Sequence, residues 1–169
     1  MTVKALHSLE GGFKMKKIIL GSIIIAICLL FVQRAFSHCE IPCGIYEDEM
    51  RFDMIKEHID TIEKAMNMIL DLSKAKDKNY NQLMRWIVNK EQHAKEIQFI
   101  VYQYFMTQRV TPVDEKDAEK YEKYLKKITL LHQMLVYAMK AKQTTDLGNV
   151  EKLRSLLDSF ATAYLGPDA

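Results

Sequence analysis

Nine consecutive residues hold the densest reactive chemistry of the chain: His38, Cys39, Glu40, Ile41, Pro42, Cys43, Gly44, Ile45 and Tyr46. Thiolates are soft metal ligands, and amine, amide and imidazole nitrogens suit copper, nickel or zinc. A cut before His38 completes the donor set, because the mature chain then begins with a free amine on a histidine followed at once by a cysteine. The amine and the Cys39 amide nitrogen close one five-membered chelate ring, and that amide and the Cys39 sulfur close another. Cys43 can return from four residues away to a fourth corner, with Pro42 fixing φ and Gly44 permitting conformations closed to other residues. Two nitrogens and two sulfurs in a plane are a geometry of Ni(II) and Cu(II), whereas zinc prefers a tetrahedron. The His38 ring can reach an axial position. Deprotonated amide and thiolate are strong electron donors, so such a hook stabilises the higher oxidation state and suits one-electron cycling.

The residues before the hook supply the reason to expect that cut. Lys14, Lys16 and Lys17 form a basic start, and Ile18 to Val32 form an apolar stretch broken only by Gly21 and Ser22. Ala35 and Ser37 are small residues at the positions that a signal peptidase reads. The apolar stretch is about 15 residues, short of the ~20 that span a bilayer. Residues 1–37 are therefore expected to be a leader removed by a processing signal peptidase, and a membrane is involved only while the leader is uncut. Met15 serves as a start as well as Met1 does. The mature protein, residues 38–169, is expected to be exported to a periplasm or the cell exterior.

Charge and cysteine counts narrow the function classes. The whole chain has 24 basic and 22 acidic residues. Removing Lys4, Lys14, Lys16, Lys17, Arg34 and Glu10 with the leader leaves 19 basic and 21 acidic residues, a net charge of −2. No dominant basic face argues for nucleic acid. Cys28 lies in the leader, so Cys39 and Cys43 are the only cysteines of the mature chain. In an oxidising compartment two cysteines pair unless something else holds them.

The elements that must position the hook read as helices. Ile55, Ile59, Ile62, Met66 and Ile69 recur at steps of three and four, predicting a helix over Asp48 to Leu72. A second helix is expected over Asn79 to Met106, burying Leu83, Trp86, Ile87, Ala94, Ile97, Val101, Tyr104 and Phe105, and ended by the segment holding Pro112. Asp114 reads as the N-cap of a third helix with a stripe of Tyr121, Leu125, Ile128, Leu131, Leu135 and Met139. Thr145 or Asp146 caps a fourth, with Val150, Leu153, Leu157, Phe160 and Tyr164 on one face and Gly166-Pro167 closing it. Four amphipathic helices with short connections predict an all-α, up-down-up-down four-helix bundle, preceded by the N-terminal metal hook and a cleavable signal peptide.

His-Cys-x-x-Pro-Cys-Gly-x-Tyr at a processed N-terminus resembles the hook of the nickel superoxide dismutases. That resemblance implies one nickel per chain, a four-helix homohexamer, and superoxide as substrate, disproportionated to dioxygen and hydrogen peroxide by Ni(II)/Ni(III) cycling. It implies His38 as ligand through its amine and ring, Cys39 through its amide and sulfur, and Cys43 through its sulfur. Tyr46 resembles the gating tyrosine above the metal, with Tyr104, in Tyr102-Gln103-Tyr104-Phe105, as its partner. Lys90-Glu91-Gln92-His93 resembles a segment of the family's second helix in which the last position is often Arg, orienting the axial imidazole through a carboxylate. Asp53 is the candidate for that carboxylate.

Plainer readings stand beside these. A Cys-x-x-x-Cys pair in an exported protein forms a disulfide by default, and the same hook would also serve a non-enzymatic nickel- or copper-binding module. His58 and His132 read as ordinary surface or boundary residues, and His93 shares that reading. Met54, Met66, Met68, Met84, Met134 and Met139 read as adaptable core packing. Tyr80, Tyr102, Tyr121, Tyr124 and Tyr137 read as core or interface residues.

Overall fold

Helix α1 (Asp48–Lys74) opens with Asp48 and Glu49, where the helix dipole favours negative charge, and closes with Lys74. The structure, a computed structural model, describes residues 48–166. The expectations placed on residues 1–47, including the leader, the ligands His38, Cys39 and Cys43, and Tyr46, lie outside the described residues, as does Pro167. The α1 stripe is as expected: Ile55, Ile59, Ile62, Met66 and Ile69 are all buried, extended by Phe52 and Ala65.

Helix α2 (Tyr80–Phe99) starts at Asn79, whose side chain accepts a hydrogen bond from the Gln82 backbone N–H at 3.1 Å. Its burial begins only at Lys90, and Leu83, Trp86 and Ile87 are half-buried instead of buried. Antiparallel register explains the difference. Gln98 bonds the Leu135 carbonyl and Lys90 bonds the Ala141 carbonyl, so residues before Lys90 run past the last turn of α3.

The second helix does not stop at Met106. Its winding changes to π over Ile100–Arg109, and Val110 ends it, with Pro112 two residues on. The Thr107 hydroxyl donates to the Tyr102 carbonyl at 2.7 Å, the Gln108 amide to Gln103 at 3.0 Å, and the Val110 N–H to Phe105 at 2.8 Å, each five residues back. This is the stretch where β-branched and aromatic residues crowd together, the side chains that press hardest on the preceding turn of an α-helix. Wider winding relieves that crowding, and π segments recur at functional sites. Here it buries Ile100, Val101, Tyr104 and Phe105 together.

Helix α3 (Ala118–Gln143) begins after Asp117, not Asp114: the Asp117 carboxylate accepts from the Lys120 N–H. Its buried set is Leu131, Met134, Ala138 and Ala141, while Leu125 and Met139 from the expected stripe are exposed. The two alanines are too small to stand out as core in a sequence, yet their size lets neighbouring backbones approach. Helix α4 (Gly148–Leu165) follows Asp146, whose carboxylate accepts from the Gly148 N–H at 3.0 Å. It buries Val150, Leu153, Leu156, Leu157 and Phe160. Gly166 ends α4 at φ +118°, a conformation that favours glycine.

Among the described residues these helices form one bundle core, and there is no strand. α1 packs on α2 and α4, and α3 on α2 and α4. The core is aromatic beneath one end: Phe52, Phe105 and Phe160 lie with ring centroids 5.0 to 5.4 Å apart. Offset rings at such spacing add about 1 kcal/mol per pair beyond their burial, which makes a stiff floor. The methionines divide: Met66 and Met134 are fully buried as expected, but Met84 and Met139 are exposed. Tyr80, Met84 and Val88 are exposed apolar side chains at the start of the second helix and Phe99 and Tyr102 at its far end, with exposed Gln92 and Lys95 between them.

Candidate functional site

Asp48, the first residue of α1, is the meeting point of two other elements, the π segment and α4. Its Oδ1 accepts the Tyr104 hydroxyl at 2.5 Å, and its Oδ2 accepts the Tyr164 hydroxyl at 2.8 Å. The Arg109 guanidinium donates to the same Oδ2 from Nη2 at 2.5 Å and from Nε at 3.2 Å. Tyr104 and Arg109 come from the π segment and Tyr164 from the last turn of α4. The two tyrosines rest on the aromatic floor, Tyr104 5.2 Å and Tyr164 5.5 Å from the Phe105 ring. The Arg51 guanidinium lies 5.0 Å and that of Arg109 6.0 Å from the Tyr104 ring centroid.

The electrostatics follow from that convergence. Burial alone would raise the Asp48 pKa, but the hydrogen bonds from Arg109, Tyr104 and Tyr164 outweigh it and hold the carboxyl below its usual range. Tyr104 is pushed up by burial first and then by the bond to Asp48 and its charge. Tyr164 is pushed up to about 12 by the same two causes. The cluster is thus a carboxylate, a guanidinium and two neutral phenols, with the formal charges cancelling. Beside it opens a cleft of about 260 Å³, lined in part by Arg109, Lys120, Lys123 and Lys127.

Other expected residues fall elsewhere. Asp53 is exposed and lines a separate cleft with Lys56, Leu157 and Asp158. His132 is exposed, as expected. His58 and His93 are not ordinary boundary residues. Their Nδ1 atoms lie 2.9 Å apart, joining α1 to α2, so one ring donates and the other accepts. Burial, then the neighbouring His93, lowers the His58 pKa, against weaker raising by Glu96 and Glu57. Lys90 is 3% exposed. Its ammonium bonds the carbonyls of Ala141 at 2.6 Å, Lys142, and Thr144 at 3.2 Å, capping the C-terminus of α3.

Asp48, Arg109 and Tyr164 were missed as site residues by the sequence reading. Asp48 reads as a helix start and Tyr164 as core. The one available signal was that Asp48 stands two residues after Tyr46. Arg109 is five residues from Tyr104, a spacing that shares a face only once the helix has widened.

Among the described residues no group of three or more His, Cys, Asp or Glu side chains could hold a metal. Fold and site together define an all-helical protein with a charge-balanced, tyrosine-lined cluster at the entry of its first helix. The chain belongs to the nickel-containing superoxide dismutase family, which matches it over residues 33–167, the hook positions included. It is a nickel-dependent oxidoreductase that acts on superoxide, with one nickel per chain. No curated protein and no solved structure matches the chain.

Proposed function

We propose that removal of residues 1–37 creates the active centre by freeing the amine of His38. The donor set fits nickel: two thiolates, one amine, one amide and one imidazole within six residues, with no competing cysteine in the mature chain. His38 holds the metal through its amine and ring, Cys39 through its amide and sulfur, and Cys43 through its sulfur. Bound nickel supplies one-electron cycling between two oxidation states.

The single observation that carries the placement is the Tyr104–Asp48 bond at 2.5 Å. Two peptide units separate Tyr46 from Asp48, a span of about 7 Å at most. That short separation in sequence supports reading Tyr46 as the partner of Tyr104. In this reading Tyr46 and Tyr104 line the access to the metal and exclude groups larger than a diatomic anion. Arg51 beside Tyr104 and the lysines of the neighbouring cleft favour approach of a negative substrate.

The antiparallel contacts of successive helices support an up-down-up-down bundle with the hook at the start of α1. The exposed Tyr80, Met84 and Val88, spaced four residues apart on one face of α2, support assembly into a homohexamer that would cover them. The leader supports a periplasmic or extracellular location.

The test is to place one residue before His38 in the otherwise mature protein. An amide then replaces the amine. Nickel binding and dismutation should both fall severely, and Cys39→Ser and Cys43→Ser should abolish both while the helical fold survives. Full activity in the extended protein would overturn the hook assignment.

A further inference from the structure

Each phenol has one proton to give. At Tyr104 that proton is directed to Asp48 Oδ1, and at Tyr164 to Asp48 Oδ2. The carboxylate receives both, together with two N–H bonds from Arg109. An acid that accepts four donors has no room for a proton of its own, so it is the ionised form that this site holds. Arg109 balances its charge locally, so the cluster fixes two phenol protons without adding net charge to the basic cleft next to it.

We propose that Asp48 is a positioning residue of the dismutase reaction: it draws the Tyr104 hydroxyl proton inward and keeps Tyr104 a neutral, proton-withholding gate. This rests on the reading that Tyr104 lines the access to the metal. Two consequences follow for the chemistry. Two superoxide anions and two protons give dioxygen and hydrogen peroxide, and neither proton comes from Tyr104. The gate also stays uncharged at pH values where an ordinary exposed phenol begins to ionise, so the anionic substrate does not meet a phenolate. The plain alternative is that Asp48 only staples α1 to the π segment and α4.

The direction of the effect separates the two. The negative charge of Asp48 opposes ionisation of Tyr104. Removing that charge while leaving Arg109 in place makes the phenolate easier to form. The experiment measures kcat/KM against pH by pulse radiolysis on processed, nickel-loaded enzyme: wild type, Asp48→Asn, Asp48→Glu, Tyr104→Phe and the Asp48→Asn/Tyr104→Phe double variant. The proposal expects Asp48→Asn to move the alkaline fall in activity to lower pH by at least one unit. Asp48→Glu should restore most of the shift, and the double variant should follow Tyr104→Phe alone.

An Asp48→Asn enzyme that loses thermal stability but keeps the wild-type alkaline limb overturns the positioning role, provided Tyr104→Phe alters the kinetics. Kinetics unchanged in Tyr104→Phe overturn the placement of Tyr104 at the access route, and the proposal with it. If Asp48→Asn does not fold or load nickel, the ultraviolet difference titration of wild type against Tyr104→Phe decides. The phenol that disappears must titrate above the ordinary tyrosine value, and a phenol titrating at that value overturns the proposal.

Discussion

Lys90 is buried and Asp48 half-buried, and the bundle treats the two charges differently. Asp48 gathers donors from two elements, the π segment and α4, and the bonds it accepts more than offset its burial, so the site favours the charge. Lys90 is set among the carbonyls that end α3, and burial lowers its pKa in spite of Glu91, so its site merely tolerates the charge. The partners explain the contrast. Asp48 meets a full opposite charge and two hydroxyls. Lys90 meets neutral carbonyls whose alternative is to remain unpaired at a helix end. The first arrangement fixes where two phenol protons point, whereas the second only closes a helix.

Substitution of Lys90 should therefore cost the most stability and the least chemistry. Lys90→Met leaves the Ala141, Lys142 and Thr144 carbonyls without their donor, and the loss should be about 2–3 kcal/mol in chemical unfolding. Specific activity per bound nickel should stay near wild type, and a large drop there would erase the distinction between the two charges. Asp48→Ala should cost less, about 1–2 kcal/mol, because exposed Arg109 and half-buried Tyr164 can rebond to water, leaving only buried Tyr104 without its acceptor. It should instead show in the pH profile of turnover.

Acid sharpens the comparison further. The folded pKa of Asp48 is lowered, so its contribution is complete above the unfolded carboxylate value and is lost as pH falls through the lowered folded value. That loss belongs below about pH 4. His58 acts earlier. Its folded pKa is also lowered, so stability from this group is present above about pH 6.5 and declines as pH falls below it, when the unfolded chain binds the proton first. His58→Gln should flatten the stability profile between about pH 5 and 7, and a profile unchanged by the substitution would remove the histidine pair from the account. The smallest effect is expected at Arg154, whose pairs with Asp60 and Glu63 are exposed. Arg154→Ala should change stability by less than about 1 kcal/mol, and less still in high salt.

Legibility differed along the chain for physical reasons. The α1 stripe was read correctly because a continuous aliphatic row at steps of three and four can be buried in only one way. The α3 stripe is legible in part: Leu131 is buried and Ile128 and Leu135 pack against the core, but Leu125 and Met139 face out because the core face also turns on Ala138 and Ala141, which carry little hydrophobic signal. Asp114 and Asp117 are equally good caps by residue type, and only the path of the connection selects Asp117. In α2, whether Leu83 and Trp86 are covered depends on where α3 ends, which no local pattern contains.

Nickel and the family were legible in sequence alone, because a chelating donor set depends on residues a few bonds apart, whose order sets their reach without any fold. The family match over residues 33–167 agrees on the family and its metal. The support around Tyr104 was not available. Asp48, Tyr104, Arg109 and Tyr164 are up to 116 positions apart, and they meet because a π-wound segment and the end of α4 converge on the first residue of α1. Hydrogen bonds require placement within a few tenths of an ångström, and only packing of the whole bundle supplies it.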